Sequence, residues 1–317
     1  MHIDPFLFTD AAISDETLAF NRGLQELLST MAPTHTQTPQ EVRKARLDDG
    51  SPWGPIVYSD HARNLTIEGP GGELVLRVIE VGESSGVYLH IHGGGWVLGA
   101  ADLSDVGNEA MATEAGVTVV SVDYRLAPEH PYPAGVDDCV AAALWLVENC
   151  VKEFGTSNLT IGGESAGANL AAATLLRVKE ESGYSGWSGA NLVHGVYMLP
   201  ASPSVRHWST DGLVLDPETM FWFGAHYASG DKPQLTAPDF SPLFGNLSDM
   251  PSALFTIGTW DPLVDDTLFM ASRWAAAGNE TGLAIYPGGV HAFDAFPTTI
   301  AFEARDRMHR FIAEATA

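Results

Sequence analysis

Ile161-Gly162-Gly163-Glu164-Ser165-Ala166-Gly167 holds a G-x-S-x-G pattern between two segments of different character. Asn158 to Ile161 before it is short and β-compatible; Ala168 to Val178 after it is rich in Ala and Leu. A strand, a sharp turn and a helix form the context of a nucleophile elbow. Such a turn packs against neighbouring backbone and leaves almost no room for a side chain at Gly163 or Gly167. It also raises the Ser165 hydroxyl above a helix N-terminus, where partial positive charge favours a developing anion.

Outward from this turn the chain alternates. Upstream, Leu65 to Glu68, a Gly69-Pro70-Gly71-Gly72 turn and Glu73 to Glu80 read as a hairpin, followed by a strand over Val87 to His92. Helix Ser104 to Ala115, strand Val117 to Val122 and helix Val136 to Phe154 lead into the elbow. Downstream come helix Ala166 to Lys179, strand Val193 to Leu199, and a non-sheet insert over Pro200 to Asn246. Within the insert, Asp216-Pro217-Glu218 is a helix start with proline at the first helical position. Strand Ala253 to Thr259, helix Asp265 to Ala277, strand Gly282 to Tyr286 and helix Thr298 to Thr316 close the chain. This alternation predicts an α/β fold, a mostly parallel sheet with helices on both faces. The first 45 residues stand apart. Ser14-Asp15-Glu16 opens a helix that ends by Pro33, and a second short helix covers Gln40 to Leu47. Phe6, Phe8 and Phe20 make this unit a candidate flap. Residues 1–45 and 200–246 are expected to pack together as a cap on a core of 46–199 and 247–317.

Composition excludes several classes. The chain has 317 residues, 45% apolar, enough for one large α/β domain. No window approaches the roughly 18 apolar residues of a membrane span. Met1-His2-Ile3-Asp4-Pro5 lacks a basic n-region and does not read as a secretory signal. Cys139 and Cys150 lie on different faces of one predicted helix, so a reducing, cytoplasmic setting is expected. The N-x-S/T matches at Asn64, Asn158, Asn246 and Asn279 then read as chance. A net charge of −24 repels nucleic acid. Only four of sixteen basic residues are Lys, a composition that suits a saline habitat.

A serine hydroxyl needs a base, and the base needs an orienting acid; on α/β-hydrolase frameworks they follow in the order Ser, acid, His. Asp261 stands just after the strand ending at Thr259, and His291 after the next strand and a Pro287-Gly288-Gly289 turn. Asp265 and Asp266 fall within the following helix, and Asp294 lies in a loop that could also approach His291. His194 reads as a core histidine within a strand, His309 as part of a solvated helix face, and His207 and His226 as members of the insert. For the oxyanion, His92-Gly93-Gly94-Gly95-Trp96 follows a strand, and its glycines let backbone N–H groups turn inward. Gly93 and Gly94, with the N–H of Ala166, are the expected donors. His92 is expected to shape this loop. His90 and His92 share a strand face, but no carboxylate or cysteine close in sequence completes a metal site.

Four blocks together resemble the hormone-sensitive-lipase-like esterases, the bacterial family IV carboxylesterases of the α/β-hydrolase fold. They are His92 to Trp96; Asp123-Tyr124-Arg125-Leu126-Ala127-Pro128-Glu129-His130-Pro131-Tyr132-Pro133-Ala134; Gly163 to Gly167; and Asp261-Pro262-Leu263-Val264-Asp265, with His291 beyond. The resemblance implies an eight-stranded sheet, Ser165 as nucleophile, Asp261 as orienting acid and His291 as base then acid. It implies that the 124–134 block is a structural loop with Arg125 paired internally. It implies a helical cap whose Met220, Phe221, Trp222 and Phe223, with Trp96, bind substrate. Glu164 stands where Asp or Thr is common, and Val264 where a basic residue is frequent. Glu164 is expected to reach a nearby backbone group or an arginine.

The expected activity is serine carboxylesterase action on small short-chain acyl esters through an acyl-enzyme. No metal or organic cofactor is implied, and a homodimer is allowed. An imidazole base with a pKa of about 6.5 implies activity rising between about pH 6 and 8. The same machinery serves amidases, lactonases and peptidases, and some relatives of the fold only bind ligands.

Overall fold

The structure is a computed structural model that describes residues 3–47, 54–209, 213–230 and 233–317. Met1 and His2 of the N-terminal reading, and 210–212 and 231–232 of the insert, lie outside these residues. Helices α1 (Asp15–Ser29) and α2 (Pro39–Leu47) come first. Strands β1 (Ala62–Gly69), β2 (Gly72–Ile79) and β3 (Val87–Ile91) follow, then α3 (Asp105–Ala115), β4 (Thr118–Val122), α4 (Ala134–Phe154), β5 (Leu159–Glu164) and α5 (Ala166–Ser182). After β6 (Gly189–Val193) come α6 (Pro203–Arg206) and α7 (Pro217–Tyr227) of the insert. Then β7 (Ala253–Trp260), α8 (Val264–Ala276), β8 (Thr281–Val290) and α9 (Thr299–Thr316) close the chain.

Among the described residues the strands form one sheet in the order β1-β2-β4-β3-β5-β6-β7-β8. The β1–β2 and β2–β4 pairs are antiparallel; every pair from β4 to β8 is parallel. Strand alternation feeds two cores. Val87, Leu89 and Ile91 of β3 join Val136 and Leu146 of α4, Leu170 of α5 and Trp274 of α8 on one face. Tyr88, between them, joins Leu24 of α1, Met111 of α3 and Ile312 of α9 on the other. Helices therefore cover both faces, which explains why the inner strands are apolar without alternation. Leu89 is fully buried, and truncating it to Ala would cost about 2–5 kcal/mol.

Helix starts follow the expected chemistry. Ser14 Oγ accepts from Thr17 N, and the Asp216 carboxylate accepts from Thr219 N. Arg125 forks onto Asp138 with Nε–Oδ2 at 2.9 Å and Nη2–Oδ1 at 2.8 Å, an internal pairing that holds the 124–134 block.

Two strand expectations need correction. The sixth strand is Gly189–Val193, not Val193 to Leu199. Gly189, Ala190 and Asn191 have weak β-preference, but pairing between β5 and β7 overrides it. The apolar Val196 to Leu199 run leaves the sheet because its amides have side-chain acceptors. Tyr197 N and Met198 N donate to Asp266 Oδ1, and Leu199 N donates to Ser241 Oγ. The eighth strand runs on through Pro287-Gly288-Gly289 to Val290 instead of turning there. A register shift against Gly258 and Trp260 absorbs the irregularity, while Gly288 N donates to Thr259 Oγ1 and Gly288 O accepts from Asn21.

Candidate active site

The C-terminal ends of β3, β5, β6 and β8 all open onto one cavity of about 690 Å³. Ligands of open parallel sheets occupy this edge. Ser165 sits at the end of β5, near the sheet's centre, and caps α5 with φ 57° and ψ −117°. That backbone state is costly for a residue with a Cβ, and the surrounding packing holds it. A Cβ on Gly163 or Gly167 would collide with the Ile91 carbonyl, so the elbow closes only with glycine at both. Ser165 N donates to Val193 O at 2.9 Å, which ties the turn to β6.

Three residues remote in sequence meet at this point. His291 Nε2 lies 2.9 Å from Ser165 Oγ. His291 Nδ1 lies 2.8 Å from Asp261 Oδ2, and Asp261 Oδ1 accepts from Leu263 N at 2.9 Å. Asp261 is fully buried and His291 nearly so. Their rivals are engaged elsewhere. Asp265 accepts from Ser204 N, Asp266 from Tyr197 and Met198, and Asp294 contacts His194. Burial pushes the Asp266 carboxyl up to about 6 despite its N–H partners.

The glycine loop faces the same cavity. Gly93 N donates to Glu164 Oε1 at 2.8 Å. That N–H is therefore spent on a carboxylate, which removes Gly93 from the expected oxyanion donors. Gly94 and Gly95 hold φ 110° and 61°, conformations that glycine tolerates. A Cβ on Gly95 would also meet the Phe223 ring. Glu164 does reach backbone, as expected, but its second partner is His90 Nε2 at 3.0 Å rather than an arginine. Burial raises the Glu164 pKa; the His90 pairing and the Gly93 amide outweigh it and leave the carboxyl below its ordinary value. Asn108 Nδ2 donates to His90 Nδ1 at 3.2 Å, so the His90 proton sits on Nε2 and points at Glu164. His92 Nδ1 donates to Gly93 O, and its ring stacks on Tyr124 at 4.2 Å. His90 and His92 thus shape the loop.

The cavity's other wall comes from the N-terminal unit and the insert, including Met31, Val42, Leu215, Met220 and Phe223. The two segments touch, with His35 Nδ1 3.5 Å from Thr219 Oγ1. Phe6 and Phe8 are exposed, and Phe20 packs on Phe296, so these aromatics form no part of that wall. Phe221 and Trp222 also do not border the cavity. Helical spacing turns Met220 and Phe223 inward, Phe221 to solvent, and Trp222 onto Phe223 and His226. Trp96 borders the cavity with a ring already committed. Its indole donates to Asn169 at 3.2 Å and stacks on Tyr227 at 4.4 Å. It supports the glycine loop. One cavity residue was hidden by the strand misreading. His194 directly follows β6, borders the cavity and meets His291 edge-to-face at 4.5 Å. The following Gly195 was the available sign that the strand stops there.

The α/β-hydrolase-fold family matches residues 88–295. LipN, a carboxylic ester hydrolase of Mycobacterium tuberculosis, is 32% identical over 76% of this chain and 66% of LipN. The carboxylesterase NlhH of the same organism is 35% identical over 70% of this chain and 71% of its own length. The solved hyperthermophilic esterase from the archaeon Pyrobaculum calidifontis superposes with a TM-score of 0.81 at 29% identity, covering 100% of both chains. With these relatives and this fold, the chain belongs to the α/β-hydrolase-fold family and, within it, to the hormone-sensitive-lipase-like carboxylic ester hydrolases.

Proposed function

We propose that the chain hydrolyses short-chain acyl esters with Ser165 as nucleophile, His291 as general base then acid, and Asp261 as its orienting acid. The carrying observation is the unbroken line Ser165–His291–Asp261, at 2.9 and 2.8 Å. His291 Nε2 takes the Ser165 proton as Oγ attacks the ester carbonyl. Asp261 keeps the Nδ1–H tautomer and offsets the imidazolium charge. The proton then passes to the leaving alkoxide, and the acyl group stays on Oγ. Water, deprotonated by His291, releases the acid in the second half.

The oxyanion is assigned to the N–H groups of Gly94, Gly95 and Ala166. Gly94 and Gly95 amides have no protein acceptor among the described residues, and Ala166 opens α5, where helix amides lack intrahelical partners. Each such donor is worth about 3 kcal/mol of barrier. Residues 1–45 and 200–246 act as the cap. Met220 and Phe223 line the acyl side, and a largely apolar cavity of this size favours short chains.

A panel of p-nitrophenyl esters of rising acyl length, set against p-nitroanilides, tests this reading. Acetyl to hexanoyl esters should be hydrolysed fastest, anilides poorly, and Ser165→Ala should lose at least about 10³-fold in kcat. Preference for anilides would move the chain to amidases, and unchanged hydrolysis by Ser165→Ala would remove the nucleophile.

A further inference from the structure

The insert meets the glycine loop at two consecutive residues. Phe223 and Tyr227 stand four positions apart on α7, so they share one face of the helix. The Phe223 ring packs against Gly95, where a Cβ would collide with it. The Tyr227 ring stacks on the indole of Trp96, with ring centres 4.4 Å apart and planes within 7°.

Tyr227 is fully buried and, unlike Phe223, is not among the described residues that border the cavity. Its hydroxyl has no hydrogen-bond partner among the described residues, so the ring makes its contacts. Phe240 lies parallel to that ring at 5.5 Å, and Tyr132 meets it edge-on at 5.8 Å. The Tyr227 carbonyl accepts from Tyr132 N at 2.9 Å, and the Tyr132 hydroxyl donates to Asp239 at 2.8 Å. Tyr227 is thus held firmly where α7 ends.

Trp96 needs support. It holds φ 62°, an unfavourable value for a side-chain-bearing residue. Its indole N–H donates to Asn169 on α5, one turn beyond Ser165, and its carbonyl accepts from Ala127 N at 2.9 Å. These two supports come from the core. The Tyr227 stack adds one from the insert, directly after the amides of Gly94 and Gly95.

We propose that Tyr227 is a positioning residue for ester hydrolysis. Its stack on Trp96 fixes the aim of the Gly94 and Gly95 amides, so the placement of α7 governs the rate of the chemical step. Donors to an oxyanion act at about 2.7–3.1 Å, and a small shift of the loop is felt in the transition state before the ground state. The role rests on Gly94 and Gly95 serving as oxyanion donors.

The test compares wild type, Tyr227→Leu and Tyr227→Phe on p-nitrophenyl esters, with rates expressed per active site titrated by a fluorophosphonate. Tyr227→Leu should lower kcat by about 10-fold or more, with KM within about 2-fold and the preferred acyl length unchanged. Tyr227→Phe keeps the ring and should recover most of that loss; a Phe variant as slow as the Leu variant overturns the role of the stack. A short-chain trifluoromethyl ketone takes up Ser165 Oγ at its carbonyl and places an oxyanion in the hole. It should bind Tyr227→Leu more weakly, by about the factor lost in kcat/KM. A purely structural role would reduce the number of titrated sites or the melting temperature and leave kcat per site and ketone affinity at wild-type values. That result, or a rise in KM alone, overturns the proposal. Hydrogen exchange of the wild-type protein, with and without the ketone, gives an answer even where Tyr227→Leu does not fold. The last turn of α7 should gain protection together with residues 94–97, and protection confined to the loop overturns the coupling. Hydrolysis undiminished in Ser165→Ala would instead strike the nucleophile reading, whatever the Tyr227 variants do.

Discussion

Glu164 shows how much one side chain next to Ser165 controls. Its two oxygens join Gly93 N to His90 Nε2 and so hold the glycine loop against β5. Glu164→Gln should lower kcat by about 10-fold or more with little change in KM, because displaced loop amides weaken transition-state stabilisation before they weaken binding. Steady-state kinetics on a p-nitrophenyl ester would check this; a rise in KM alone would contradict it. The lowered carboxyl pKa adds a stability signature. Its contribution is present above the unfolded value of about 4.5 and fades as pH falls through the lower folded value. The melting-temperature gap between wild type and Glu164→Gln should therefore narrow below about pH 4. The convergence of Ser165, Asp261 and His291 was legible because each follows a recognisable strand. The partners of Glu164 were not, since Gly93 and His90 lie 71 and 74 positions away and pairing over such distances leaves no local pattern.

Among the elements, α2 carries the clearest latch between N-terminal unit and core. Arg43 donates to Val97 O at 2.8 Å, to Ala127 O at 2.7 Å, and through both Nη atoms to Glu129 at 2.9 Å. These bonds hold one wall of the cavity over the glycine loop. Arg43 above all draws the Glu129 carboxyl down to about 2. A depressed pKa supplies stability above about 4.5 that is lost as pH falls towards 2. The pair is partly exposed, so Glu129→Gln should cost only about 1 kcal/mol or less at pH 7. Denaturant melts of the two proteins should converge near pH 2; a gap that stayed constant with pH would refute the latch's ionic character. At this scale the sequence was legible where helices begin with a capping side chain, as at Ser14 and Asp216. It misled at β6, where Gly189, Ala190 and Asn191 look unlike a strand and Val196 to Leu199 look like one. Tertiary pairing and the Asp266 carboxylate decided that boundary, and neither is local.

For the molecule as a whole, the net charge of −24 dominates solution behaviour. Self-repulsion destabilises a compact acidic chain, and salt screens it over about 10 Å at 0.1 M. The melting temperature should therefore rise between about 0.05 and 1 M NaCl; a steady fall would remove charge repulsion as a significant term. Among the described residues no helix is long and apolar enough to cross a membrane. The parallel architecture was legible from alternating segments, and the cavity's far wall only in outline. Which of Met220, Phe221, Trp222 and Phe223 face inward depends on the phase of α7 against the core, and composition does not carry that phase. The whole account depends on Ser165, His291 and Asp261 working as one proton-transfer line. Treating the protein with a fluorophosphonate and mapping the adduct by mass spectrometry tests this most directly. The account predicts one label per chain on the peptide containing Ser165, absent from Ser165→Ala and much slower to form in His291→Ala; a label on another residue, or unchanged labelling in Ser165→Ala, would contradict it.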